Sequence, residues 1–483
     1  MVIKLSKNRI DLGKEALQNA ALQNYSQSSV VSNYGTLTAG QLNLSTANIF
    51  YVTLDANAIF SFKNASSGTG TEFQVFTKQG PGNYSVIWPR NVRWPDSITP
   101  TTSPVNGQID WYTFRTTDGG VTWYGTSVAS NLKALQRLFT WGYDGYGDLG
   151  LGDTINRSSP TQVGLNTWSD ISAGTDFAVT IRTGGTLWTW GFNNNGQSSG
   201  ASSPVQMGTL TTWSSVAGQC SYGHSGALHS DGTLWMWGYG RDYGNLGNGT
   251  NTDSGSPTQV GALTTWSSVT CNNYNSLSIR TDGTLWGWGS NVNGELGLSN
   301  ATSYSSPVQV GTLTTWSSVA CQMGSSTEAI RTDGTLWAWG LNSNGQLGQG
   351  DIVNRSSPVQ VGTITTWSSV MNSMGNDMGA TRTDGTLWLW GQNNYGQHGR
   401  SNTIDCSSPI QVGTLTTWSS VRGGADHAVG TRTDGTLWAW GLNSNGQLGQ
   451  GDIVNRSSPV QVGTLSTWGK VVSGNSHIEA LLS

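Results

Sequence analysis

The chain has 483 residues, with 66 glycines, 24 tryptophans, only 10% charged residues and a formal net charge of -4 at pH 7. No stretch approaches the roughly 18 consecutive apolar residues of a membrane-spanning helix, and the dense aromatic residues exclude a natively disordered chain. Beyond residue 130 the only lysines are Lys133 and Lys470, so the sequence lacks the basic cluster that nucleic-acid binding requires. We therefore expect a large β-type protein with no nucleic-acid partner and no membrane insertion.

The N-terminal part divides into an arm, a β module and a linker. Residues 1–45 form the arm, which begins with positive charge but has no apolar segment behind it, so a secretory signal is not expected. Residues 46–127 contain apolar runs typical of strands, for example at 49–54 and 108–114. Residues 128–137 are interpreted as a short linker.

Two motifs characterise the module at 46–127. They read Trp88-Pro89 followed by Val92-x-Trp94-Pro95, and Asp118-Gly119-Gly120-x-x-Trp123-Tyr124. By these motifs the module resembles a small β-sandwich-like domain found near the ends of bacteriophage fibre and other virion proteins. The resemblance implies attachment to other virion proteins through the N-terminal part, and a homotrimer. The alternative is a generic β-domain in which Trp88 and Trp94 only fill a core.

The rest of the chain consists of repeats. A Trp-Gly strand end recurs about every 50 residues, and we number the repeats 1 to 7 by its tryptophan: Trp141, Trp190, Trp237, Trp288, Trp339, Trp390 and Trp440. A second series of seven tryptophans follows a threonine at Trp168, Trp213, Trp266, Trp316, Trp367, Trp418 and Trp468. Residues 331–363 and 432–464 are identical. Repeats of this length are typical of propellers and solenoids.

Each repeat is expected to form four strands. In Thr335-Leu336-Trp337-Ala338-Trp339-Gly340, alternation places both tryptophans on one face of a strand. The preceding Asp333-Gly334 predicts a two-residue hairpin of the primed type. Pro358 begins a later strand and suits an outer edge, because proline cannot donate to a ladder. The first repeat lacks its Asp-Gly half and the last stops where that turn would begin, so the two chain ends are predicted to complete one blade.

These repeats resemble the regulator of chromosome condensation (RCC1) family. The resemblance rests on Trp339-Gly340, Asn342, Gly345-Gln346-Leu347-Gly348, Pro358 and Asp384-Gly385, in that order. It implies that about 138–483 forms a seven-bladed β-propeller, and that the whole chain is all-β. The founding member of the family is a nucleotide exchange factor that binds chromatin. This sequence has no basic tail and no insertion between its repeats, so exchange activity is not expected.

The loops after Trp-Gly supply the candidate ligand-binding residues. Exposed aromatic rings beside amides and carboxylates can stack on sugars and bond their hydroxyls, and tyrosine is enriched in binding surfaces. The candidates lie in repeats 1, 3 and 6: Tyr143, Asp144, Tyr146, Tyr239, Arg241, Tyr243, Asn394 and Tyr395. The alternative is that these residues only fill their loops.

A second set of candidates shares one position before the Asp-Gly turn. The set is Phe177, His224, Asn275, Ser326, Asp377, His427 and His477. These residues could ring one end of an axial channel and bind a small ligand. The alternatives are a solvated channel lining or histidines that bond neighbouring blades. Cys220, Cys271 and Cys321 also share a position and are interpreted as small buried residues.

The sequence shows no paired carboxylates and no nucleophile–base spacing, so no catalytic residue, metal site or cofactor is predicted. We expect a bacteriophage virion structural protein of the fibre or adhesin type, made in the host cytoplasm and displaying the propeller to bind a host-surface glycan or protein. The first alternative is a capsid-decorating or head-fibre protein of the same architecture. Less favoured alternatives are a propeller lyase or hydrolase and a cellular scaffold.

Overall fold

The computed structural model is all-β, and the regular elements of its described residues are 36 strands. It describes the following residues: 29–34, 40–44, 49–54, 58–63, 71–79, 84–95, 99–100, 108–116, 118, 120–133, 136–217, 223–323 and 325–482. The chain divides into two compact units, Met1–Leu135 and Gln136–Ser483. In the described part of the chain no helix is long and apolar enough to cross a membrane. Most of the arm at 1–45, and Cys220, lie outside the described residues.

The first unit contains two sheets. The six-stranded sheet has the order β1-β3-β5-β8-β9-β7, with β1 Ser29–Tyr34, β3 Ile49–Leu54, β5 Thr71–Gln79, β7 Val92–Arg93, β8 Gln108–Thr116 and β9 Trp123–Lys133. The three-stranded sheet has the order β2-β4-β6, with β2 Gly40–Asn43, β4 Ala58–Lys63 and β6 Val86–Ile87. The linker predicted at 128–137 overlaps β9.

Aromatic side chains form the core of the first unit. Phe73 and Phe114 stack with their ring centroids 5.0 Å apart, and Trp123 meets Phe73 edge-on at 5.1 Å. Trp88 lies 5.7 Å from Trp94 and is buried. The two Trp-Pro motifs therefore place their tryptophans in this core, where edge-to-face ring pairs are favourable.

The second unit contains five four-stranded antiparallel sheets, each formed by four consecutive strands. Repeat 3 has β15 Trp213–Ala217, β16 His224–His229, β17 Leu234–Gly238 and β18 Ser254–Gln259. Repeat 4 has β19 Thr270–Cys271, β20 Asn275–Ile279, β21 Leu285–Gly289 and β22 Tyr304–Gln309. Repeat 5 has β23 Trp316–Gln322, β24 Ser326–Arg331, β25 Leu336–Gly340 and β26 Arg355–Gln360. Repeat 6 has β27 Trp367–Val370, β28 Asp377–Arg382, β29 Leu387–Gly391 and β30 Cys406–Gln411. Repeat 7 has β31 Trp418–Gly423, β32 His427–Arg432, β33 Leu437–Gly441 and β34 Arg456–Gln461.

Repeats 1 and 2 share a seven-stranded sheet of order β14-β13-β12-β11-β10-β36-β35. Its strands are β10 Arg137–Gly142, β11 Arg157–Ala173, β12 Phe177–Arg182, β13 Leu187–Gly191, β14 Val205–Gln206, β35 Trp468–Ser473 and β36 His477–Leu482. The last strand, β36, pairs with β10 over six residues, so the two ends of the repeat region meet in one sheet. The predicted completion of one sheet by both chain ends is confirmed.

Buried tryptophans join each repeat to the one before it. The Trp-Gly tryptophan of every repeat is fully buried, and its Nε1 donates to a backbone carbonyl in the loop of the preceding repeat at 2.7–3.0 Å. The pairs are Trp141 with Gln447, Trp190 with Asp148, Trp237 with Gln197, Trp288 with Asn245, Trp339 with Glu295, Trp390 with Gln346 and Trp440 with Gln397. The pair Trp141–Gln447 connects repeat 7 back to repeat 1, which closes a ring.

The Asp-Gly turns differ from the predicted primed type. A type I′ turn needs positive φ at both central residues. Gly334 has φ 76°, but Asp333 does not have a positive φ. Gly334 N donates to Arg331 O at 2.9 Å, and Arg331 N donates to Thr335 O at 3.0 Å. The loop therefore has three residues, with a type I turn followed by a left-handed glycine. The reason is that Asp333 Oδ1 accepts from both the backbone N and the hydroxyl of Thr335, which holds the longer loop.

Candidate functional site

The loops that follow Trp-Gly connect the third and fourth strands of each repeat and lie beside the turns between the first and second strands. Phe192 N donates to Asp176 O at 2.7 Å, and Tyr239 N donates to Gly223 O at 2.9 Å, which fixes the start of each loop against such a turn. These loops and turns therefore share one end of the sheets, which we call the loop face. The Asp-Gly turns lie at the opposite end of the strands.

A buried asparagine shapes most of these loops. In repeat 5, Asn342 Oδ1 accepts from Leu347 N at 2.9 Å, and Asn342 Nδ2 donates to the backbone oxygens of Asp351 and Val353. In repeat 1 the same position is Asp144, whose Oδ1 accepts from Leu149 N at 2.9 Å. Asp144 is fully buried, and burial raises its pKa to about 6. Asp144 therefore takes the place of the structural asparagine, and its role in ligand binding stays a prediction.

The side chains of the other loop candidates differ in how exposed they are. Tyr146, Arg241, Asn394 and Tyr395 are exposed, and Tyr143 and Tyr243 are half-buried. Tyr239 is buried, its hydroxyl contacts the Asp242 carboxylate, and Arg241 lies over its ring at 5.1 Å. Burial raises the pKa of Tyr239 to about 12. Tyr239 therefore supports Arg241 and is not itself a surface residue.

Contacts between neighbouring loops join repeats 1, 2 and 3 into one surface. The ring of Tyr146 lies 4.8 Å from the ring of Phe192 in repeat 2. Arg241 Nη2 donates to Asn195 Oδ1, also in repeat 2, at 2.6 Å. Tyr243 packs edge-on against Tyr274 at 5.4 Å. We call this surface, made of Tyr143, Tyr146, Phe192, Asn195, Arg241 and Tyr243, the aromatic–amide surface.

Two members of the aromatic–amide surface, Phe192 and Asn195, were not predicted from the sequence. For Phe192 the sequence does contain a signal, which is the residue two positions after the Trp-Gly tryptophan. It is aromatic in repeats 1, 2 and 3, as Tyr143, Phe192 and Tyr239, and Ser290, Leu341, Gln392 and Leu442 in the others. The predicted pair Asn394 and Tyr395 belongs to repeat 6, and no recorded contact joins it to the aromatic–amide surface within the described residues.

A second group of exposed residues lies at the loop tips of repeats 5, 6, 7 and 1. These aliphatic tips are between 57 and 69% exposed. They are Ile155, Ile352, Val353, Ile404, Ile453 and Val454. In three of the loops an ion pair four residues apart stiffens the tip: Asp153–Arg157, Asp351–Arg355 and Asp452–Arg456, at 2.6–2.7 Å.

The predicted axial residues do share one structural position. Each begins the second strand of its repeat and pairs with the glycine of a Trp-Gly motif, as His224 does with Gly238. All seven are buried. His224 Nε2 lies 3.0 Å from Ser276 Oγ in the next repeat, and His427 Nε2 lies 2.9 Å from Ser473 Oγ. These contacts favour the interpretation that the histidines bond neighbouring repeats over that of a solvated channel lining.

Burial also determines the charge of these axial side chains. Burial lowers the pKa of His427 to about 3 and that of His477 to about 4, so both rings are neutral at pH 7. Burial raises the pKa of Asp377 to about 7. Their role in binding a small ligand stays a prediction.

Among the described residues, nothing in the arrangement of side chains favours a metal site or a thiolate site. No group of three His, Cys, Asp or Glu side chains there is arranged to hold a metal ion. Cys271 and Cys321 are buried, and burial raises the pKa of the Cys321 thiol well above its ordinary value. The two residues behave as small buried side chains, as interpreted from the sequence.

The repeats match the models of a known protein family. The model of the regulator of chromosome condensation (RCC1) repeat matches residues 137–181, 231–279, 282–322, 333–378, 384–430 and 434–481, together more than half of the chain. A second RCC1 repeat model matches 168–197, 266–295 and 418–447.

Among curated proteins, the chain is similar to the ultraviolet-B receptor UVR8 of Arabidopsis thaliana, with 30% identity over 54% of this chain and 61% of that protein. It is also similar to the mitochondrial RCC1 domain-containing protein RUG3 of the same plant, with 28% identity over 58% of this chain and 55% of that protein. The matches thus span less than two thirds of either relative.

Solved structures show the same fold at low sequence identity. Human WBSCR16 has a TM-score of 0.65 and 20% identity, and the match covers 72% of this chain and 99% of that chain. Yeast RCC1 (Prp20), in a structure with Kap60 bound, has a TM-score of 0.64 and 17% identity, covering 72% of this chain and 89% of that chain. The second unit therefore has an RCC1-like propeller fold.

Proposed function

The chain belongs to the family of RCC1-repeat proteins, and we propose that it is a non-catalytic binding protein whose loop face recognises a host-surface glycan. The observation that carries this proposal is the aromatic–amide surface, where the exposed ring of Tyr146, the half-buried amide of Asn195 and the exposed guanidinium of Arg241 come from three successive repeats.

The ring that displays this surface is proposed to have seven blades. The seven-stranded sheet corresponds to two of these blades, because β11 is 17 residues long and belongs to both halves of the sheet. Its first part pairs with β10, and its second part, from Trp168 onward, pairs with β12. Two blades from this sheet and five from the four-stranded sheets make seven.

The chemistry of the surface suits a carbohydrate. A sugar ring presents apolar C–H faces that pack on an aromatic ring, and hydroxyl groups that need donors and acceptors at its edge. Tyr146 and Phe192 supply the rings, and Asn193 and Asn194 supply exposed amides between Phe192 and Asn195. Arg241 is 56% exposed and is held by Asp253 at 3.2 Å. Such preorganised groups lose little entropy on binding.

The biological setting that we propose is a bacteriophage virion, with the N-terminal part bound to other virion proteins and the propeller displayed outward. Support comes from the motifs of the module at 46–127 and from the aromatic core that its tryptophans form. A capsid-decorating or head-fibre protein is the alternative in the same setting. A propeller lyase or hydrolase is less favoured, since the two histidine–serine pairs, His224 with Ser276 and His427 with Ser473, are buried between repeats. A cellular scaffold is less favoured because of the N-terminal module.

We further propose that the N-terminal module assembles as a homotrimer. Ile59 in β4 and Ile87 in β6 are cross-strand partners, and both are exposed, at 46 and 57%. An exposed apolar pair on a sheet face is typical of an interface. Light scattering of the full chain should give three times the chain mass, and Ile59→Asp/Ile87→Asp should give the mass of one chain with its circular dichroism spectrum unchanged. A single-chain mass for the wild type would contradict the trimer.

A second candidate function is binding of a host-surface protein through the aliphatic tips. Their arrangement on repeats 5, 6, 7 and 1 is a specific observation in its favour, because stiffened apolar tips bury well against a protein partner. This candidate uses a different part of the loop face from the aromatic–amide surface.

The proposed function is tested with the full chain on a panel of intact bacterial strains. We expect saturable binding of the fluorescently labelled protein to some strains, and loss of that binding after enzymatic removal of surface glycans. Binding that survives glycan removal would favour the protein candidate. A folded, monodisperse sample that binds no strain would contradict adhesion and favour a decorating role.

A further inference from the structure

The second unit contains a polar cavity on its axis, with a volume of about 180 Å³. Its polar lining is Ser172, Ser215, Thr270, Asn372, Arg422 and Lys470. These residues belong to the innermost segments of repeats 2, 3, 4, 6, 7 and 1. Thr270 Oγ1 donates to Asn372 Oδ1 at 3.3 Å, which joins repeats 4 and 6 directly. A cavity lined by so many repeats lies where their first strands converge.

Arg422 is exceptional at its position in the repeat. It lies opposite the third residue of the next strand, Val429. The equivalent residues of the other repeats are small, apolar or uncharged: Ser172, Ala217, Thr270, Ala320, Met371 and Val472. Repeat 7 therefore has a guanidinium at a position where each of the other repeats has an uncharged residue.

The second cation of the cavity already has a carboxylate partner. Lys470 Nζ lies 2.5 Å from Asp170 Oδ1. Asp170 Oδ2 accepts from Val216 N at 2.9 Å, so both oxygens of this carboxylate are engaged. The cavity is thus lined by two cations, Lys470 and Arg422, of which Lys470 is paired with a carboxylate.

Arg422 has no such partner in the part of the chain that the structure describes. Its one recorded hydrogen bond runs from Nη1 to the carbonyl of the adjacent Val421, at 2.7 Å. Burial alone lowers the pKa of Arg422, as expected where no carboxylate is close enough to oppose that effect. The segment 218–222, outside the described residues, reads Gly-Gln-Cys-Ser-Tyr and contains no carboxyl group. Arg422 is half-buried, and part of its side chain faces the cavity and meets water there.

Two fully buried acids lie close to residues of the lining. Glu328 accepts from the backbone N of Met371, next to Asn372, and Glu479 is affected by Lys470. Burial raises the pKa of both carboxyl groups well above the ordinary range, which disfavours their charged form. An arginine keeps its charge in proteins, and a partly buried cation gains from a counter-charge. A mobile anion from solution would supply that counter-charge.

We propose that the axial cavity binds one small oxyanion of the size of inorganic phosphate, held by Arg422. A guanidinium donates two parallel N–H groups to two oxygens of such an anion. The hydroxyl of Ser215 and the amide Nδ2 of Asn372 line the same cavity and supply further donors. This site lies on the axis and is independent of the aromatic–amide surface.

Equilibrium dialysis of the full chain with radiolabelled inorganic phosphate tests the proposal. We expect one saturable phosphate per chain, and a rise of several degrees in Tm when phosphate replaces chloride at constant ionic strength, since a ligand that binds only the folded state stabilises it. Arg422→Gln should abolish both effects. Arg280→Gln is the matched control, because Arg280 is a surface arginine paired with Asp282 at 3.8 Å, and it should leave both effects unchanged.

Other outcomes are equally decisive. If Arg422→Gln fails to fold, Arg422→Lys provides the second test, because it keeps the charge but loses the paired donors and should weaken phosphate binding at least tenfold. No saturable phosphate on the wild type, or equal binding by Arg422→Gln and the wild type, would overturn the proposal. Sulfate should compete with phosphate, and acetate should compete more weakly because it offers fewer oxygens.

Discussion

Replacing Trp339 with alanine should lower the free energy of unfolding by about 3–5 kcal/mol, as truncation of a fully buried aromatic residue does. Trp339 is fully buried, and its Nε1 donates to Glu295 O in the preceding repeat at 2.9 Å. The substitution removes the ring that joins repeats 4 and 5 and leaves that buried carbonyl without this donor. Chemical denaturation followed by far-UV circular dichroism measures the change.

Trp337 is the matched control for Trp339. It lies two residues earlier on the same strand and is half-buried, with its Nε1 donating to Thr335 Oγ1 at 2.8 Å and Arg331 over its ring at 5.6 Å. Since it keeps contact with water and its Nε1 hydrogen bond stays within repeat 5, Trp337→Ala should cost only about 1–2 kcal/mol. Equal losses for the two variants would show that the contact between repeats does not stabilise the ring.

The variant Tyr146→Ala/Arg241→Ala should lower the affinity for a glycan-bearing strain about thirtyfold or more. Each side chain is expected to contribute roughly 1–2 kcal/mol, and every 1.4 kcal/mol is a factor of about ten in affinity. Both side chains are exposed, so their removal should leave the free energy of unfolding almost unchanged. Titration of the labelled variant onto cells that bind the wild type gives the two affinities.

Tyr395→Ala is the matched control for this variant. Tyr395 is a tyrosine of similar exposure, 42% against 49% for Tyr146, in the equivalent loop of repeat 6. No aromatic contact is recorded for it within the described loops, so it lacks the platform that Phe192 gives to Tyr146. We expect Tyr395→Ala to bind as the wild type does. A loss as large as that of the double variant would mean that recognition is not confined to the aromatic–amide surface.

Much of the repeat fold was predictable because its signals are local and recur. Alternation in the strand that contains Trp337 and Trp339 predicted one shared face, and the structure buries Trp339 there. The prolines mark outer strands, and Pro358 does lie in β26, at the edge of its sheet. The complementary chain ends predicted the pairing of β10 with β36. Each of these inferences needed only the spacing of residues along the chain or the fact that proline cannot donate a backbone hydrogen bond.

The turn type was not predictable from Asp-Gly alone. The same dipeptide suits a two-residue primed turn and a type I turn followed by a left-handed glycine. The choice depends on Thr335, which bonds the Asp333 carboxylate from two donors. The threonine recurs after every Asp-Gly of the repeats, as Thr233, Thr284, Thr335, Thr386 and Thr436, so the tripeptide Asp-Gly-Thr is the signal that distinguishes the longer loop.

The candidate site was predicted only in part, for two physical reasons. Asp144 is predicted as a ligand-binding residue because it lies beside Tyr143 and Tyr146, although alignment with Asn342, three residues after its own tryptophan, indicates a structural role in the loop. Phe192 and Asn195 belong to the site because loops of neighbouring repeats contact each other. Such contacts depend on how adjacent sheets are packed, which spacing within one repeat cannot reveal.

The central claim is that the aromatic–amide surface of the loop face binds a host-surface glycan. One side-by-side titration tests it most directly: the labelled full chain and its Tyr146→Ala/Arg241→Ala variant, each applied to intact and glycan-stripped cells of one bound strain. The account predicts saturable binding of the wild type to intact cells, binding of the variant to intact cells that is about thirtyfold weaker or more, and background binding of both to stripped cells. Equal binding of the wild type and the variant to intact cells would contradict it.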